Sequence, residues 1–310
     1  MQTLTLDAWH AAGSYFDHRG HAIFHRVAGS PDASPALLCI HGFPTASWDW
    51  HHVWDALTAR FGCVVALDML GFGFSAKPRP HAYAMAEQAD IHEALLRHLG
   101  IGRVHLLAHD YGDTVAQELL ARHEERRAGG IVLESVCLLN GGLFPETHRA
   151  TPGQILLAGP DGPAIAALMT EETYAQGIAA VFGPQTKPSR DEMHDFWRLT
   201  SASDGAVIWP ALLRYMEERR QNRERWVGAL QSTRVPLRVI DGAEDPVSGG
   251  HMVERYRELV PNPDTVLLHG IGHYPQVEDP EGVVRAFLEF HARLGTPPPG
   301  GIAAAKKPWL

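Results

Sequence analysis

The sequence predicts an α/β fold in which helices flank a mostly parallel central sheet and one helical insertion interrupts the pattern. The first observation is that short apolar runs alternate with helical patterns, as they do in strand–helix–strand units. The second is that this alternation stops after residue 143 and returns after residue 230. A chain of 310 residues is therefore expected to form one core with a sizeable insertion.

The predicted elements follow one another in a regular order. Apolar runs bounded by turn-forming residues predict strands at 36–40, 64–67, 104–108, 131–139, 236–240 and 265–268. Helical patterns predict a helix that ends near residue 61 and helices over 85–99, 112–123 and 280–294. We therefore expect the first part of the core at 1–143, a helical cap at 144–230 and the second part of the core at 231–294. The Pro- and Gly-rich sequence at the C-terminus predicts a flexible tail over 295–310.

The composition argues against several classes of function. A formal net charge of -9 disfavours nucleic acid as a partner, because such partners need a basic face. The three cysteines lack the spacing of a disulfide framework, which fits a reducing compartment, and without a metal-binding spacing we expect no metal centre. No signal peptide and no membrane-spanning run are recognisable. These features predict a cytoplasmic monomer or homodimer.

The strongest chemical signal is Ala108-His109-Asp110-Tyr111-Gly112, which follows an apolar strand and precedes a helix. Small residues lie two positions before and two positions after Asp110, as they do around the nucleophile in a strand–turn–helix elbow. The turn is so tight that only small neighbours fit, and it projects the central side chain above the sheet. The competing interpretation is that Asp110 only caps the helix that follows.

Two further segments supply partners for Asp110 in the chain order nucleophile, acid, histidine. Asp245 follows a late strand and His273 follows the last one, at the sheet edge where open α/β sheets place their sites. Asp245 is preferred as the acid because it directly precedes a proline in its loop. The neighbouring Asp241 and Glu244, and Glu134 inside the strand at 131–139, remain as alternatives.

Backbone N–H groups near the elbow are expected to stabilise a negatively charged oxygen. One belongs to Tyr111, directly after Asp110, and the other to Phe43 in the segment His41-Gly42-Phe43-Pro44. A stretch dense in both charge signs, 214–225, is interpreted as the solvated face of a helix rather than as a binding patch.

With these residues in place, the chain resembles the aspartate-nucleophile branch of the α/β hydrolases, which contains epoxide hydrolases and haloalkane dehalogenases. The resemblance extends over about residues 15–292. It is carried by HGFPTASWDW from His41, LDMLGFGFSAKPRPHAY from Leu67, AHDYGDTVAQELL from Ala108, LNGGLFPETHR from Leu139, RERWVGAL from Arg223 and HYPQVEDP from His273. It implies a helical cap over the site, a covalent ester on Asp110 and no cofactor.

The same resemblance bears on the leaving group. Haloalkane dehalogenases typically carry Trp directly after the nucleophile and often Asn after His-Gly, where this chain has Tyr111 and Phe43. The HGFP form is that of epoxide hydrolases, which also use cap tyrosines to hold the epoxide oxygen. Tyr215 resembles the second of these tyrosines and Tyr174 the first. Asp113 stands where many relatives have a small residue.

These observations favour an epoxide hydrolase that acts on a small apolar substrate. A dehalogenase, or a hydrolase of another activated carbon such as a β-lactone, is the alternative, with Trp197 or Trp209 as the halide donors. A hydrolase fold kept as a binding or regulatory module is a third possibility. An ordinary carboxylesterase is disfavoured, because an Asp nucleophile would form an anhydride with an ester substrate.

Overall fold

The fold is described from a computed structural model that covers residues 4–126 and 130–295. In these ranges the strands are β1 Ser14–His18, β2 His21–Gly29, β3 Ala36–Ile40, β4 Cys63–Leu67, β5 Arg103–His109, β6 Val132–Leu139, β7 Leu237–Gly242 and β8 Thr265–Leu268. The helices of the core are α1 Leu6–Ala11, α2 His51–Arg60, α3 Met85–His98, α4 Tyr111–Glu125, α12 Gly250–Leu259, α13 Pro275–Glu278 and α14 Pro280–Leu294. The helices between β6 and β7 are α5 Pro152–Ala158, α6 Gly162–Ala167, α7 Glu171–Val181, α8 Arg190–Ser201, α9 Trp209–Leu212, α10 Tyr215–Gln221 and α11 Arg223–Ser232. Two 3₁₀ helices cover Ser47–Trp50 and Ala202–Ile208.

The strands form one mostly parallel sheet in the order β1-β2-β4-β3-β5-β6-β7-β8. The first two pairings, β1 with β2 and β2 with β4, are antiparallel, and all the others are parallel. Strands β3 and β4 are buried along their whole length, because helices cover both faces of the sheet. The predicted α/β-hydrolase fold is thus confirmed.

The six predicted strands coincide with β3 to β8 to within a residue or two at either end. The hairpin of β1 and β2 was not predicted. Its strands mix polar and apolar residues at the edge of the sheet, and β1 is mostly exposed, so neither reads as an apolar run. The predicted helix at 112–123 begins one residue earlier, at Tyr111, and continues to Glu125.

Within the described chain, the segment from the end of β6 to the start of β7 contains helices and no strand. Its last helix, α11, ends at Ser232, two residues beyond the predicted boundary. Many of its large side chains are buried: Tyr174, Phe196, Trp209, Tyr215 and Trp226. The predicted tail lies almost entirely outside the described residues. Among the described helices, none has the length and apolarity needed to cross a membrane.

Candidate active site

Asp110 occupies a sharp turn between β5 and α4, with φ 50° and ψ −107°. This conformation is unusual for a residue with a Cβ and costs about 1–3 kcal/mol, which the surrounding fold must offset. A Cβ on Gly112 would come within 2.5 Å of the carbonyl oxygen of Ile40, so the turn tolerates only glycine there. Within the described structure, the Asp110 side chain makes no capping hydrogen bond to α4. The geometry therefore favours the elbow over the helix-cap interpretation.

The three residues of the proposed triad lie together and are all buried. His273 places Nε2 3.9 Å from Oδ1 of Asp110 and Nδ1 2.8 Å from Oδ2 of Asp245. One imidazole thus lies between two carboxylates that follow different parallel strands of the sheet, β5 and β7. A histidine in this position can pass a proton at the Asp110 side while Asp245 fixes the orientation of the ring.

Asp245 is held by a dense set of donors. Its Oδ1 accepts from the N–H of Val247 at 2.7 Å, and its Oδ2 accepts from the N–H of Ser248 at 3.1 Å and from Nδ2 of Asn140 at 3.0 Å. These bonds and the charge of His273 outweigh burial and lower the pKa of Asp245. Asn140, at the end of β6, was not recognised in the sequence, because a lone amide in a loop carries no distinctive pattern.

The alternative acids occupy other positions. Glu244 is exposed, and Glu134 forms an ion pair with Arg103. Asp241 is buried, but its Oδ1 accepts a hydrogen bond from the backbone N–H of Asn140 at 2.6 Å. Of the four carboxylates considered, Asp245 is the one that contacts His273.

The charges of the site shift the pKa values of Asp110 and His273 in opposite directions. Burial alone would raise the pKa of Asp110, but the hydrogen bond and charge of His273, followed by the charge of Arg219, hold it below its usual range. Burial alone would lower the pKa of His273, but Asp245 and then Asp110 raise it well above its ordinary value. Both shifts favour the charged forms, a carboxylate at Asp110 and an imidazolium at His273.

The Phe43 N–H donates to Oδ2 of Asp110 at 3.0 Å, which places this predicted donor at the carboxylate itself. Tyr111, the second predicted donor, is the first residue of α4. Its side chain is fully buried, and its hydroxyl donates to the carbonyl of Tyr83 at 3.4 Å. The phenol of Tyr111 is thus part of the packing beneath the site.

A largely apolar cavity of about 410 Å³ reaches the site at His273 and Phe43. Two of the predicted substrate-binding residues, Tyr174 and Trp209, line it. Trp197 is not among the described lining residues; its ring packs against that of Tyr174, with centroids 5.4 Å apart. The described lining contains no Asp, Glu, Lys or Arg, and His273 and two tyrosines are its ionisable side chains, so the cavity suits a neutral, apolar molecule.

Tyr215 is also absent from the described lining of this cavity and lies closer to the elbow. Its ring meets that of Tyr111 at 5.1 Å, and its hydroxyl is buried without a hydrogen bond of standard geometry to any described residue. Burial raises the pKa of Tyr215 and the charge of Asp110 adds to this, while Arg219 acts in the opposite direction. A buried phenol without a well-formed hydrogen bond is costly, which marks this hydroxyl as a candidate donor to a substrate.

Arg219 corrects the interpretation of 214–225 as a solvated face. The side chains of Arg220 and Glu217 are indeed exposed, but Arg219 is only 2% exposed. Its Nε donates to Oγ1 of Thr114 at 2.7 Å, and one terminal nitrogen donates to the carbonyl oxygen of Asp110 at 3.2 Å. The guanidinium also lies over the ring of Tyr215, 4.4 Å from its centroid. The sequence signal that could have identified Arg219 is its spacing of one helical turn from Tyr215, which places both side chains on the same face of a helix.

Two neighbours of Arg219 explain further features of the sequence. The other terminal nitrogen lies 3.4 Å from Nδ1 of His148, and a Cβ on Gly142 would come within 2.3 Å of it. Gly142 therefore leaves the space that the guanidinium fills.

Asp113 is fully buried next to Asp110, and burial followed by the charge of Asp110 raises its pKa well above the usual range. The raised pKa favours the neutral form of Asp113, in which it would not compete with Asp110 for Arg219.

Comparison with known proteins agrees with this architecture. A family model described as "Alpha/beta hydrolase family" matches residues 37–286. The mesoderm-specific transcript homolog protein of Homo sapiens is 46% identical over 295 residues, covering 92% of this chain and 87% of the relative. Epoxide hydrolase 3 of Xenopus tropicalis is 34% identical over 286 residues, covering 86% of this chain and 74% of the relative.

Among solved structures, a loop variant of the haloalkane dehalogenase DbeA from Bradyrhizobium elkanii superimposes with a TM-score of 0.75. It shares 21% identity, and the match covers 91% of this chain and 97% of the dehalogenase. This likeness establishes the shared fold. The predicted resemblance is confirmed by these comparisons together with the sheet topology, and the chain belongs to the α/β hydrolase family.

Proposed function

We propose that this hydrolase opens epoxides through a covalent ester on Asp110. The observation that carries the proposal is a carboxylate at the strand–turn–helix elbow, bonded to the Phe43 N–H and facing His273 Nε2 at 3.9 Å. A carboxylate suits displacement at a carbon atom, because the resulting ester can then be hydrolysed. Its relative in Xenopus tropicalis is named an epoxide hydrolase, which supports the same chemistry.

The contacts of Asp110 suggest which oxygen attacks. Oδ2 already accepts the Phe43 N–H, so it would become the carbonyl oxygen of the ester. Oδ1 attacks an epoxide carbon, the carbon–oxygen bond of the ring breaks, and the alkoxide takes up a proton. Tyr215 and Tyr174 are the proposed donors to that oxygen, and a phenol relays the proton to it from the imidazolium side of the site.

The second step uses the same histidine as a base. The charge of Asp110 helps to raise the pKa of His273, so conversion of Asp110 to a neutral ester lowers that pKa again. The neutral imidazole then takes a proton from water, and the hydroxide attacks Cγ of the ester. The N–H groups of Phe43 and Tyr111 stabilise the oxyanion, the alcohol leaves as the diol product, and Asp110 is regenerated.

Arg219 acts in this scheme as a positioning residue. It donates a hydrogen bond to the carbonyl oxygen of Asp110, where the strained elbow begins. Its guanidinium also lies over the ring of Tyr215 and supports it. Its fixed positive charge also favours the ionised nucleophile. One side chain of α10 thereby aligns the nucleophile and the proposed proton donor.

The segment 144–230 would be the cap of this enzyme. Tyr174 and Trp209 line the cavity, while Tyr215 and Arg219 reach the elbow, so closure of the site depends on this segment. A small apolar substrate fits the lining of the cavity. The cytoplasmic location and the monomeric or homodimeric state are retained as proposals, and the free, buried Cys39, Cys63 and Cys137 suit a reducing compartment.

The second candidate function is dehalogenation. It is favoured by Trp209, whose ring lines the cavity and lies edge-on to Phe43 with centroids 5.9 Å apart. The indole N–H of Trp209 could donate a hydrogen bond to a departing halide. A β-lactone would be opened by the same nucleophile. A binding module is the third candidate, and an accessible cavity that ends at His273 argues against it.

The test is to incubate purified protein with a panel of epoxides and a panel of haloalkanes, and to measure diol formation and halide release. Asp110→Asn, which is nearly isosteric, is the matched inactive control. Diol formation that depends on Asp110 is the expected result. Halide release alone would move the function to dehalogenation, and neither product, with no ester detected by mass spectrometry, would favour the binding module.

A further inference from the structure

A cluster of three side chains with metal-ligand chemistry lies away from the triad. His51 and His52 begin α2 of the core, and Glu192 lies in the first turn of α8 in the insertion. One potential ligand atom from each lies within 4.8 Å of the other two. The Nε2 atoms of His52 and His51 are 2.9 and 3.8 Å from the same oxygen, Oε1 of Glu192.

These distances are close to those of a bound ion. Zn–N and Zn–O bonds of about 2.0–2.2 Å place neighbouring ligand atoms of a tetrahedral site roughly 3–3.5 Å apart. The two nitrogen-to-oxygen separations fall on either side of that range, and all three ligand atoms lie within 4.8 Å of one another, so a modest inward shift of the side chains would complete the site. The side chain of His52 is 40% exposed, which leaves the ion a path from solvent and a position for a water ligand.

His51 is oriented for this role. Its Nδ1 lies 2.7 Å from the carbonyl oxygen of Trp48 and must donate the proton, so the lone pair is on Nε2. Its ring stacks on that of Trp48 with centroids 3.9 Å apart and planes at 7°.

Glu192 is equally fixed. Its backbone N–H donates to Oγ of Ser189, which caps α8, and its carboxylate faces the two imidazoles. Two imidazoles with one carboxylate favour a borderline divalent transition ion such as Zn²⁺, Co²⁺ or Ni²⁺ over Mg²⁺ or Ca²⁺, which require oxygen ligands.

We propose that His51, His52 and Glu192 form a divalent transition-metal site that links the core to the insertion. The sequence pattern predicted no metal, because the ligands are separated by 140 residues and follow no known spacing. The site has structural consequences for the cavity. Helix α8 also carries Thr200, whose hydroxyl lies 3.2 Å from the carbonyl oxygen of Pro44 and 3.3 Å from the hydroxyl of Tyr174. A bound ion would therefore hold α8 against the loop that precedes α2.

The experiment uses the full chain without a polyhistidine tag, freed of metal by a chelator and titrated with ZnSO₄ by calorimetry. One equivalent should bind, and CoCl₂ should give the visible absorption bands of a tetrahedral site. The Tm should rise by roughly 5 °C or more at a hundredfold excess over the Kd. Glu192→Gln and His52→Gln should weaken binding by at least about tenfold.

The matched control is His194→Gln on the same helix, an exposed imidazole bonded to Glu171 that lies outside the cluster. It should bind Zn²⁺ like the wild type. Equal Tm values in chelator would show that His52→Gln folds normally. The proposal is overturned if the wild type takes up no ion at about 100 µM, or if His52→Gln and Glu192→Gln bind as tightly as His194→Gln. None of these outcomes depends on epoxide hydrolysis.

Discussion

Replacing Arg219 by methionine removes a buried charge and leaves a side chain of comparable length. The substitution breaks the bonds to Thr114 and to the carbonyl of Asp110, at 2.7 and 3.2 Å, together with the longer contact to His148. Each good bond from a charged donor is worth about 1.5–3 kcal/mol, but removing the guanidinium also relieves a desolvation cost of several kcal/mol. We therefore expect a net loss of only about 1–3 kcal/mol in the free energy of unfolding.

The effect on the first chemical step should be larger than the effect on folding. Without Arg219 the elbow and the ring of Tyr215 lose a common support, and a misplacement of about 1 Å typically costs about a hundredfold in rate. We expect single-turnover formation of the Asp110 ester to slow by about that factor, with a smaller effect on ester hydrolysis. Stopped-flow alkylation, followed by quench and mass spectrometry, separates the two steps.

Arg220→Met is the matched control, because Arg220 is the next residue on α10 and its side chain is 64% exposed. It should change stability by less than about 0.5 kcal/mol and leave both steps unchanged. Arg219→Lys retains the charge but not the planar fork, and should recover only part of the rate. If Arg219→Met alkylates at the wild-type rate, Arg219 is a structural residue and its positioning role is refuted.

Three further predictions concern the triad and its donor. Without the imidazolium, His273→Gln should form the ester more slowly, with the tyrosine hydroxyls as the remaining proton donors. It should hydrolyse the ester about 100- to 10,000-fold more slowly than the wild type, so intact-mass spectrometry should find the substrate bound; an unmodified mass with a confirmed substrate would count against two steps. Tyr215→Phe should slow epoxide opening by about a hundredfold and leave the fold intact, whereas a nearly native rate would make Tyr215 a packing residue. The rate of ester hydrolysis should fall in acid, because His273 is then protonated and cannot act as a base. The rate of ester formation should persist, because the pKa of Asp110 is below its usual value. Parallel loss of both steps would contradict the roles proposed for Asp110 and His273.

The order and approximate bounds of β3 to β8 follow from the sequence, because buried parallel strands read as apolar runs. Asp110, Asp245 and His273 could be placed at the ends of their strands for the same reason. The hairpin of β1 and β2 was missed because edge strands with one wet face lack that signal. Asn140 was missed because its role depends on a contact with Asp245 across the sheet edge.

Arg219 shows a different limit of sequence patterns. A run of mixed charge is normally solvated, and most of 214–225 follows that rule. Arg219 departs from it because α10 turns one face toward Asp110, and Gly142 on a distant strand end makes room for the guanidinium. Only the tertiary packing distinguishes this arginine from its exposed neighbour Arg220.

The balance of charge in the site separates the two leading functions. In the proposed resting state, the anions Asp110 and Asp245 face the cations His273 and Arg219. In the proposed reaction, opening an epoxide would consume the charge of Asp110 and transfer the proton of His273 to the alkoxide, so the site would remain neutral and the later attack of water would restore both. The complete reaction, epoxide plus water to diol, releases no proton.

A haloalkane leaves an anion that does not take up this proton. The complete reaction, haloalkane plus water to alcohol, releases one halide and one proton, and His273 must lose its proton to solvent before it can activate water. A pH indicator in weakly buffered solution should therefore report no net proton with an epoxide and one proton per turnover with a haloalkane. Because the epoxide oxygen takes up the proton of His273 in the proposed reaction, with Tyr215 as the donor, we expect turnover without proton release. Equimolar release of protons and halide, unaffected by Tyr215→Phe, would indicate a halide leaving group with Trp209 as its hydrogen-bond donor. That result would replace the proposed epoxide hydrolysis by dehalogenation.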